Sequence, residues 1–408
     1  MNDILQYMPK MLSGKELNEK LTVLPTYGKS IVEKSTTERL IAMQDIYQIF
    51  IPNTMSREIY TKLYLALLRS LQKKSSILAV RQANENSKMV RQKSYESIIG
   101  GSDSFTIIGP SGIGKSSAVS RVVNILTEKA VLELSNTKII ACLQVQTPAD
   151  CSLKSLLLEI LRKTDELLHS RYYETALRSR STTDMLIGSV SQVALNHIGL
   201  LIIDEIQNIV NNKSGKTLFG TLTQLINNSG VSICMVGTPE SAIFFEQEKM
   251  LARRTLGLNY APMEYDDDFR NFCKAILAYS YVQEAIVVDE AVLLWLYNHS
   301  GGNVSVVISL LHDSQEVAIL EGHERLDISI LNIAYEKRLT MLHNFINPPC
   351  MKSSPAKKKL PSPPTITKKA VLVDNISIYQ IAMDAKVSQS DIVSILRQNG
   401  FKIAEVAI

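Results

Sequence analysis

The sequence predicts an α/β protein with a parallel, three-layer sheet, and three observations predict it. Residues 104–108, SFTII, form a short apolar run that ends at GPSGIGKS (residues 109–116), and a helical pattern follows over 116–130. Residues 200–205 read LLIIDE, an apolar run of the kind a strand needs when both of its faces are covered. Further strand-like runs at 138–145, 231–236 and 255–260 alternate with helical periodicity, which is the pattern of a parallel sheet flanked by helices.

Taken in order, residues 1–98 are expected to be an N-terminal helical extension. Residues 1–30 are loosely patterned and suit a partner-binding arm. TTERLIAMQDIYQIF (36–50) opens with a capping signal and is broken at Pro52. SREIYTKLYLALLRSLQKK (56–74) then places Ile59, Leu63, Ala66 and Leu67 on one face. The α/β core is expected over 99–262, with a helix at 240–252 before its last strand. Residues 263–346 carry helical patterns and no strand signal, and SGGN (300–303) turns the chain in their middle, so a small helical lid is expected there. Residues 347–371 are dominated by lysine and proline and hold little apolar material, which predicts a flexible linker. Residues 372–408 recover a pattern of two short helices around a VSQ turn, with Ser388 as a candidate N-cap. They suit either a DNA-reading helix-turn-helix or a helical docking segment.

Composition excludes several classes. With 45% hydrophobic and 21% charged residues over 408 positions, the chain reads as an ordinary soluble protein. No apolar run reaches membrane-spanning length and the first residues lack a signal-peptide core, so a cytoplasmic protein without membrane association is expected. Cys142, Cys151, Cys234, Cys273 and Cys350 are scattered without metal-ligand spacing, and Cys142 and Cys234 fall inside strand patterns. A net charge of +4 does not by itself point to nucleic acid.

The chemistry is concentrated at the ends of the strands. Gly109, Pro110, Ser111, Gly112, Ile113, Gly114, Lys115 and Ser116 fill the pattern G-x-x-x-x-G-K-[ST], and Ser117 follows. In such a loop backbone N–H groups close on phosphate oxygens, helped by the dipole of the helix that begins there. Lys115 is placed to reach the β- and γ-phosphates and Ser116 to hold Mg²⁺. Asp204, at the end of its strand, is suited to the Mg²⁺ water shell, and Glu205 to polarising the attacking water as a general base. Thr238, after VSICMVG, is either a polar contact to the γ-phosphate or water, or an ordinary helix N-cap. Arg253 and Arg254 either reach a neighbouring subunit's γ-phosphate or complement a helix C-terminus.

The order of N-terminal helices, GPSGIGKS, GLLIIDEIQNI, VGTPE, LARR and a helical segment with SGGN resembles the TniB/TnsC family of AAA+ ATPases, regulators of bacterial DNA transposition. The resemblance covers roughly residues 30–345. It implies an AAA+ fold, ATP and Mg²⁺ as ligands, and ATP-dependent assembly into homo-oligomeric rings or helical filaments on double-stranded DNA without sequence preference. It also implies partners: a target-site selector on one side and transposase subunits on the other. Carried over by motif, Gly109 to Ser116 are the Walker A loop, Asp204 and Glu205 Walker B, Thr238 sensor 1, and Arg253 or Arg254 the finger. One departure concerns the lid: GGNVSVVISLL has no arginine where many relatives carry one, and Asn303 and Ser305 are its first polar residues. The family's DNA-facing segment corresponds to residues that offer Lys154, Arg162, Lys163, Arg171, Arg178 and Arg180, each of which also fits a solvated helix face. The rival functions are an ATPase that switches a protein partner in signalling or secretion without DNA, and a helicase or loader subunit. The compact lid and lack of further motor motifs disfavour the last.

Overall fold

The computed structural model describes residues 7–74, 104–134, 137–148, 152–210, 220–222, 224–225, 228–241 and 257–346. The chain divides into two units, Met1–Lys352 and Ser353–Ile408, and the second lies outside the described residues. The expected linker and the 372–408 segment therefore lie outside them, as do Arg253, Arg254, Cys151 and Cys350.

Among the described residues the sheet has six strands: β1 Phe105–Ile108, β2 Val131–Leu134, β3 Thr137–Gln146, β4 Ile198–Asp204, β5 Ser232–Gly237 and β6 Leu258–Asn259, in the order β2-β3-β4-β5-β1-β6. Every pairing is parallel except β2 with β3. The sheet is thus parallel-dominated and three-layered as expected, with one antiparallel edge strand, β2, that the sequence reading does not include. The helix after the glycine loop, expected over 116–130, ends at Leu126, where Thr127 turns back to bond the Val123 carbonyl. That frees Val131–Leu134 to pair against Thr137–Ile140.

Strand residues alternate between two cores. Leu201, Ile203, Ile233 and Met235 face one side, against α5 (Leu153–Leu168) and α7 (Thr183–His197), with α6 (Tyr172–Arg178) beside them. Leu200, Ile202, Cys234 and Val236 face the other, against α1 (Gly14–Leu21), α3 (Thr54–Lys74) and α4 (Lys115–Leu126). This is the three-layer arrangement. The helices dock by periodicity: α5 buries Leu153, Leu156, Leu157, Ile160, Leu161 and Thr164, one face at i, i+3, i+4, i+7 spacing, and Ser152 caps it.

A third core belongs to a helical bundle, α8 (Asp267–Leu277), α9 (Glu290–Ser300), α10 (Val304–Leu320) and α11 (Ile328–Arg338). Asp266, Asp289, Asn303 and Asp327 cap these helices in turn, so each start is written locally in the sequence.

The described residues before the glycine loop pack into both the sheet layers and the bundle. α1 packs in the α4 layer, and Arg121 of α4 bonds the Lys20 and Leu21 carbonyls. The chain then crosses to the bundle, where Met43, Ile46 and Ile49 join the third core and Arg39 pairs with Glu324. It returns to the sheet layer as α3. The helix expected over 36–50 is α2 (Thr36–Ala42) followed by a tighter 3₁₀ stretch at Met43–Gln48. Its cap is Ser35, which forms a reciprocal box with Glu38.

Candidate nucleotide site

The ends of β1, β4 and β5 are tied together by backbone bonds. Gly109 N donates to Gly237 O at 3.2 Å, Ile206 N to Val236 O at 3.0 Å, and Thr147 N and Oγ1 to Asp204 O at 3.1 and 2.8 Å. Above these ends lies a cavity of about 240 Å³. Its walls bring together Ser111, Gly112, Gly114, Lys115, Ser116, Ser117, Asp204, Glu205 and Thr238, residues that the sequence scatters between positions 111 and 238. Gly109, Pro110 and Ile113 of the loop do not line it. Gly109 is packed beneath the loop against Tyr260, and Ile113 is buried in the α4-side core, where it anchors the loop.

Gly114, at φ +93°, turns the chain into α4 with Lys115 as the first helical residue. The Lys115 ammonium is buried and donates to the Gly109 and Pro110 carbonyls at 2.6 and 2.7 Å. Burial pushes its pKa down, and the Asp204 and Glu240 carboxylates push it back up. Asp204 is buried, and its Oδ1 accepts the Glu205 N–H at 2.8 Å. Glu205 sits in the left-handed region at φ +56°, a strained setting for a non-glycine residue and one that recurs at functional sites. Its Oε2 accepts from Asn208 Nδ2 at 3.3 Å.

Thr238 lines the cavity while its side chain bonds Glu240 and its carbonyl takes two bonds from Ser241, so it also opens a helical turn. Gln207 was not singled out from the sequence, yet it lines the same cavity, and its buried Oε1 has no hydrogen-bond partner among the described residues. The DEIQNI string that carries Asp204 and Glu205 also carries this residue, one helical step further on.

The donor set fits Mg²⁺. Ser116 and Asp204 offer a hydroxyl and a carboxylate oxygen, hard ligands of the type Mg²⁺ takes. Both also border a wide polar depression with Ser120, Gln144 and Gln146, leaving room for metal-bound water. Gln207 Oε1, without a partner among the described residues, is a ready acceptor for such water.

A second cavity, of about 330 Å³, adjoins the first and shares Gly114, Ser117, Val304 and Ile308 with it. Ile49–Asn53, Met55, Ile113 and Phe272 supply much of its remaining wall. This mostly apolar slot suits a planar ring. Sequence reasoning missed it because its walls come from the N-terminal crossing, α4 and the bundle.

The basic residues near α5 and α6 fall into two groups. Arg162 is held by Glu159 and Glu166, Lys163 by Glu166, and Arg178 by Glu174. Lys154, Arg171 and Arg180 are exposed and make no ion pair among the described residues.

Residues 99–242 match the family model of an AAA domain. No curated protein matches the chain. Among solved structures it is similar to the Aeropyrum pernix ORC1 protein in complex with DNA, at 15% identity and a TM-score of 0.44, covering 64% of each chain. It is also similar to the Aeropyrum pernix ORC2 protein in its ADP form, at 16% identity and a TM-score of 0.43, over 62% of this chain and 66% of that one. Domain III of the Thermotoga maritima replication initiation protein DnaA is 14% identical, with a TM-score of 0.38, over 65% of this chain and 91% of that one. The chain therefore spans just under two thirds of the length of the first two structures. The P-loop AAA+ fold follows from the AAA match together with the six-stranded, parallel-dominated sheet.

Proposed function

We propose that the chain is a Mg²⁺-dependent ATPase that assembles as a homo-oligomeric ring or filament on double-stranded DNA and joins a target-site selector to transposase subunits. The observation that carries the ATPase reading is the single cavity walled by Lys115, Ser116, Asp204, Glu205 and Thr238, with an apolar slot beside it for a base.

The loop N–H groups and the Lys115 ammonium bind the phosphate oxygens, and Val304 and Ile308 press on the base from the bundle side. Ser116 and Asp204 would hold the Mg²⁺, which would supply charge neutralisation for the phosphates. Glu205 accepts a proton from the attacking water. Gln207 Oε1 accepts that water's second hydrogen, and Thr238 orients it. Arg253 or Arg254 of an adjacent copy stabilises the charge that develops on the transferred phosphoryl group.

The DNA and transposition reading rests on the family resemblance, and exposed Lys154, Arg171 and Arg180 are its candidate phosphate contacts. Duplex binding is expected to need ATP and to weaken steeply with salt, because phosphate neutralisation releases counterions. Lys115→Ala tests both halves: nucleotide affinity and ATP-dependent duplex binding, measured together, should be lost together. Wild-type nucleotide affinity in the variant sinks the site, and duplex binding that ignores ATP sinks the coupling.

A second reading, an ATPase that switches a protein partner without DNA, draws on one observation. Arg162, Lys163 and Arg178 are already neutralised by acids on their own helices, which reduces the charge available to a DNA backbone. Salt-independent capture of a protein partner, with no duplex binding, would favour it.

A further inference from the structure

Four consecutive carbonyls of the glycine loop accept hydrogen bonds, and the donors come from two separate parts of the chain. Lys115 Nζ donates to Gly109 and Pro110 at 2.6 and 2.7 Å. Asn303 Nδ2 donates to the Ser111 carbonyl at 2.9 Å, and the Ser305 N–H to the Gly112 carbonyl at 2.9 Å. Asn303 and Ser305 open α10 of the bundle, and Asn303 lies 192 residues along the chain from Ser111.

The contact is close enough to need a glycine. Gly112 has φ +83°, and a Cβ there would lie 2.4 Å from Ser305 Oγ and 2.6 Å from Asn303 Oδ1.

A peptide unit is planar, and these peptides are trans, so a carbonyl fixed on one side turns the following N–H to the other. Holding the Ser111 and Gly112 carbonyls therefore sets the directions of the Gly112 and Ile113 N–H groups. Those are among the donors that a loop of this kind offers to phosphate. Donors already aimed before binding lose less entropy on binding.

We propose that Asn303 is a positioning residue of the phosphate site: from the bundle, its carboxamide fixes the loop peptides whose N–H groups take the phosphates. The inference rests on the nucleotide-site reading above. It makes seating of the bundle and affinity for phosphate one event, transmitted through the loop backbone, in a helix start that carries no arginine. Lys115 can exchange its carbonyls for phosphate oxygens while Asn303 and Ser305 keep theirs.

Asn303 has two roles that substitution can separate. Its Oδ1 accepts from Ser305 N at 3.1 Å and from Ser305 Oγ at 3.0 Å, capping α10, while Nδ2 reaches the loop. Asn303→Ser keeps a neutral capping oxygen and removes the amide donor.

The test compares wild type, Asn303→Ser and Lys115→Ala in the full chain, by melting temperature without nucleotide and by the affinity and dissociation rate of fluorescently labelled ATP. The serine variant should melt like wild type and bind ATP about tenfold more weakly, with faster dissociation, as expected for one lost pre-organising bond. Wild-type affinity in Asn303→Ser, with binding lost in Lys115→Ala, overturns the positioning role and leaves the nucleotide site standing. Wild-type affinity in Lys115→Ala overturns the site itself. Should the serine variant melt lower, Asn303→Thr repeats the comparison with another capping hydroxyl. An affinity loss that follows the melting temperature in both variants also overturns the proposal.

Discussion

Replacing Glu205 with glutamine changes one proton acceptor and almost nothing else. The side chain keeps its length and shape. Its Oε2 accepts from Asn208 Nδ2 at 3.3 Å, a bond that an amide oxygen accepts equally well. The bond from the Glu205 N–H to Asp204 Oδ1, at 2.8 Å, is made by the backbone and survives. The left-handed φ of +56° costs glutamine what it costs glutamate. Nucleotide affinity should therefore change by less than about twofold, since no bond to the phosphate loop is touched. Hydrolysis should fall by about 10²–10⁴-fold, the usual worth of a positioned general base. At about 1.4 kcal/mol per factor of ten, that raises the barrier by about 3–6 kcal/mol. Steady-state phosphate release with and without duplex DNA, beside ATP affinity by equilibrium titration, gives both numbers. Assemblies on DNA should also persist longer in the variant. Turnover within about tenfold of wild type, at unchanged affinity, would refute the base assignment and mean that another residue positions the water.

Two other perturbations probe the assembly and the fold. Arg253→Ala with Arg254→Ala should leave ATP binding by single copies intact and remove hydrolysis that depends on neighbours. Mixing this protein with Glu205→Gln should restore activity at mixed interfaces, and normal co-assembly without recovery would rule out an arginine acting in trans. The Arg39 guanidinium beside Glu324 holds that carboxyl below its ordinary range. A carboxyl with a lowered folded pKa contributes stability that is fully present above its ordinary pKa and is lost as pH falls through the folded value. The melting temperature should therefore fall below about pH 4.5, and Arg39→Met should flatten that acid dependence. The same substitution should cost about 2–3 kcal/mol, less than a fully buried pair because the Glu324 side chain is 26% exposed. An unchanged acid profile in Arg39→Met would separate the pair from acid stability.

The legible parts of the molecule are those written in contiguous residues. Gly109–Ser116 between an apolar strand and a helix needs no partner to be recognised, and β4 announces itself because all seven of its residues are buried. The caps at Asp266, Asp289, Asn303 and Asp327 are local in the same way. β2 was missed because VLEL follows a helix with no glycine or proline between them, so helical periodicity ran on through Glu128–Ala130. The apolar slot and the Asn303–Ser111 bond were not legible, since each depends on residues brought together from distant parts of the chain. Gln207 is readable only as the residue two places after Glu205; that its oxygen has no partner among the described residues is a fact of packing.

The N-terminal crossing has a consequence for how the protein is made. Tyr27 bonds Ser280, 253 residues downstream, and Arg39 bonds Glu324, 285 residues downstream. At about 5–20 residues per second, a ribosome takes roughly 10–60 s to deliver those partners after the first ones emerge. Until then Met43, Ile46 and Ile49, each buried in the finished bundle, have no core to enter. α1 and α3, on either side of them, are waiting for α4 and the sheet, whose last strand ends at Asn259, ahead of the bundle. The order of synthesis thus closes the sheet layers first and leaves the crossing as an open apolar loop, with its ends already pinned. Nascent chains stalled before residue 280 should bind a hydrophobic dye or a holdase chaperone through that loop, and chains released at full length should not.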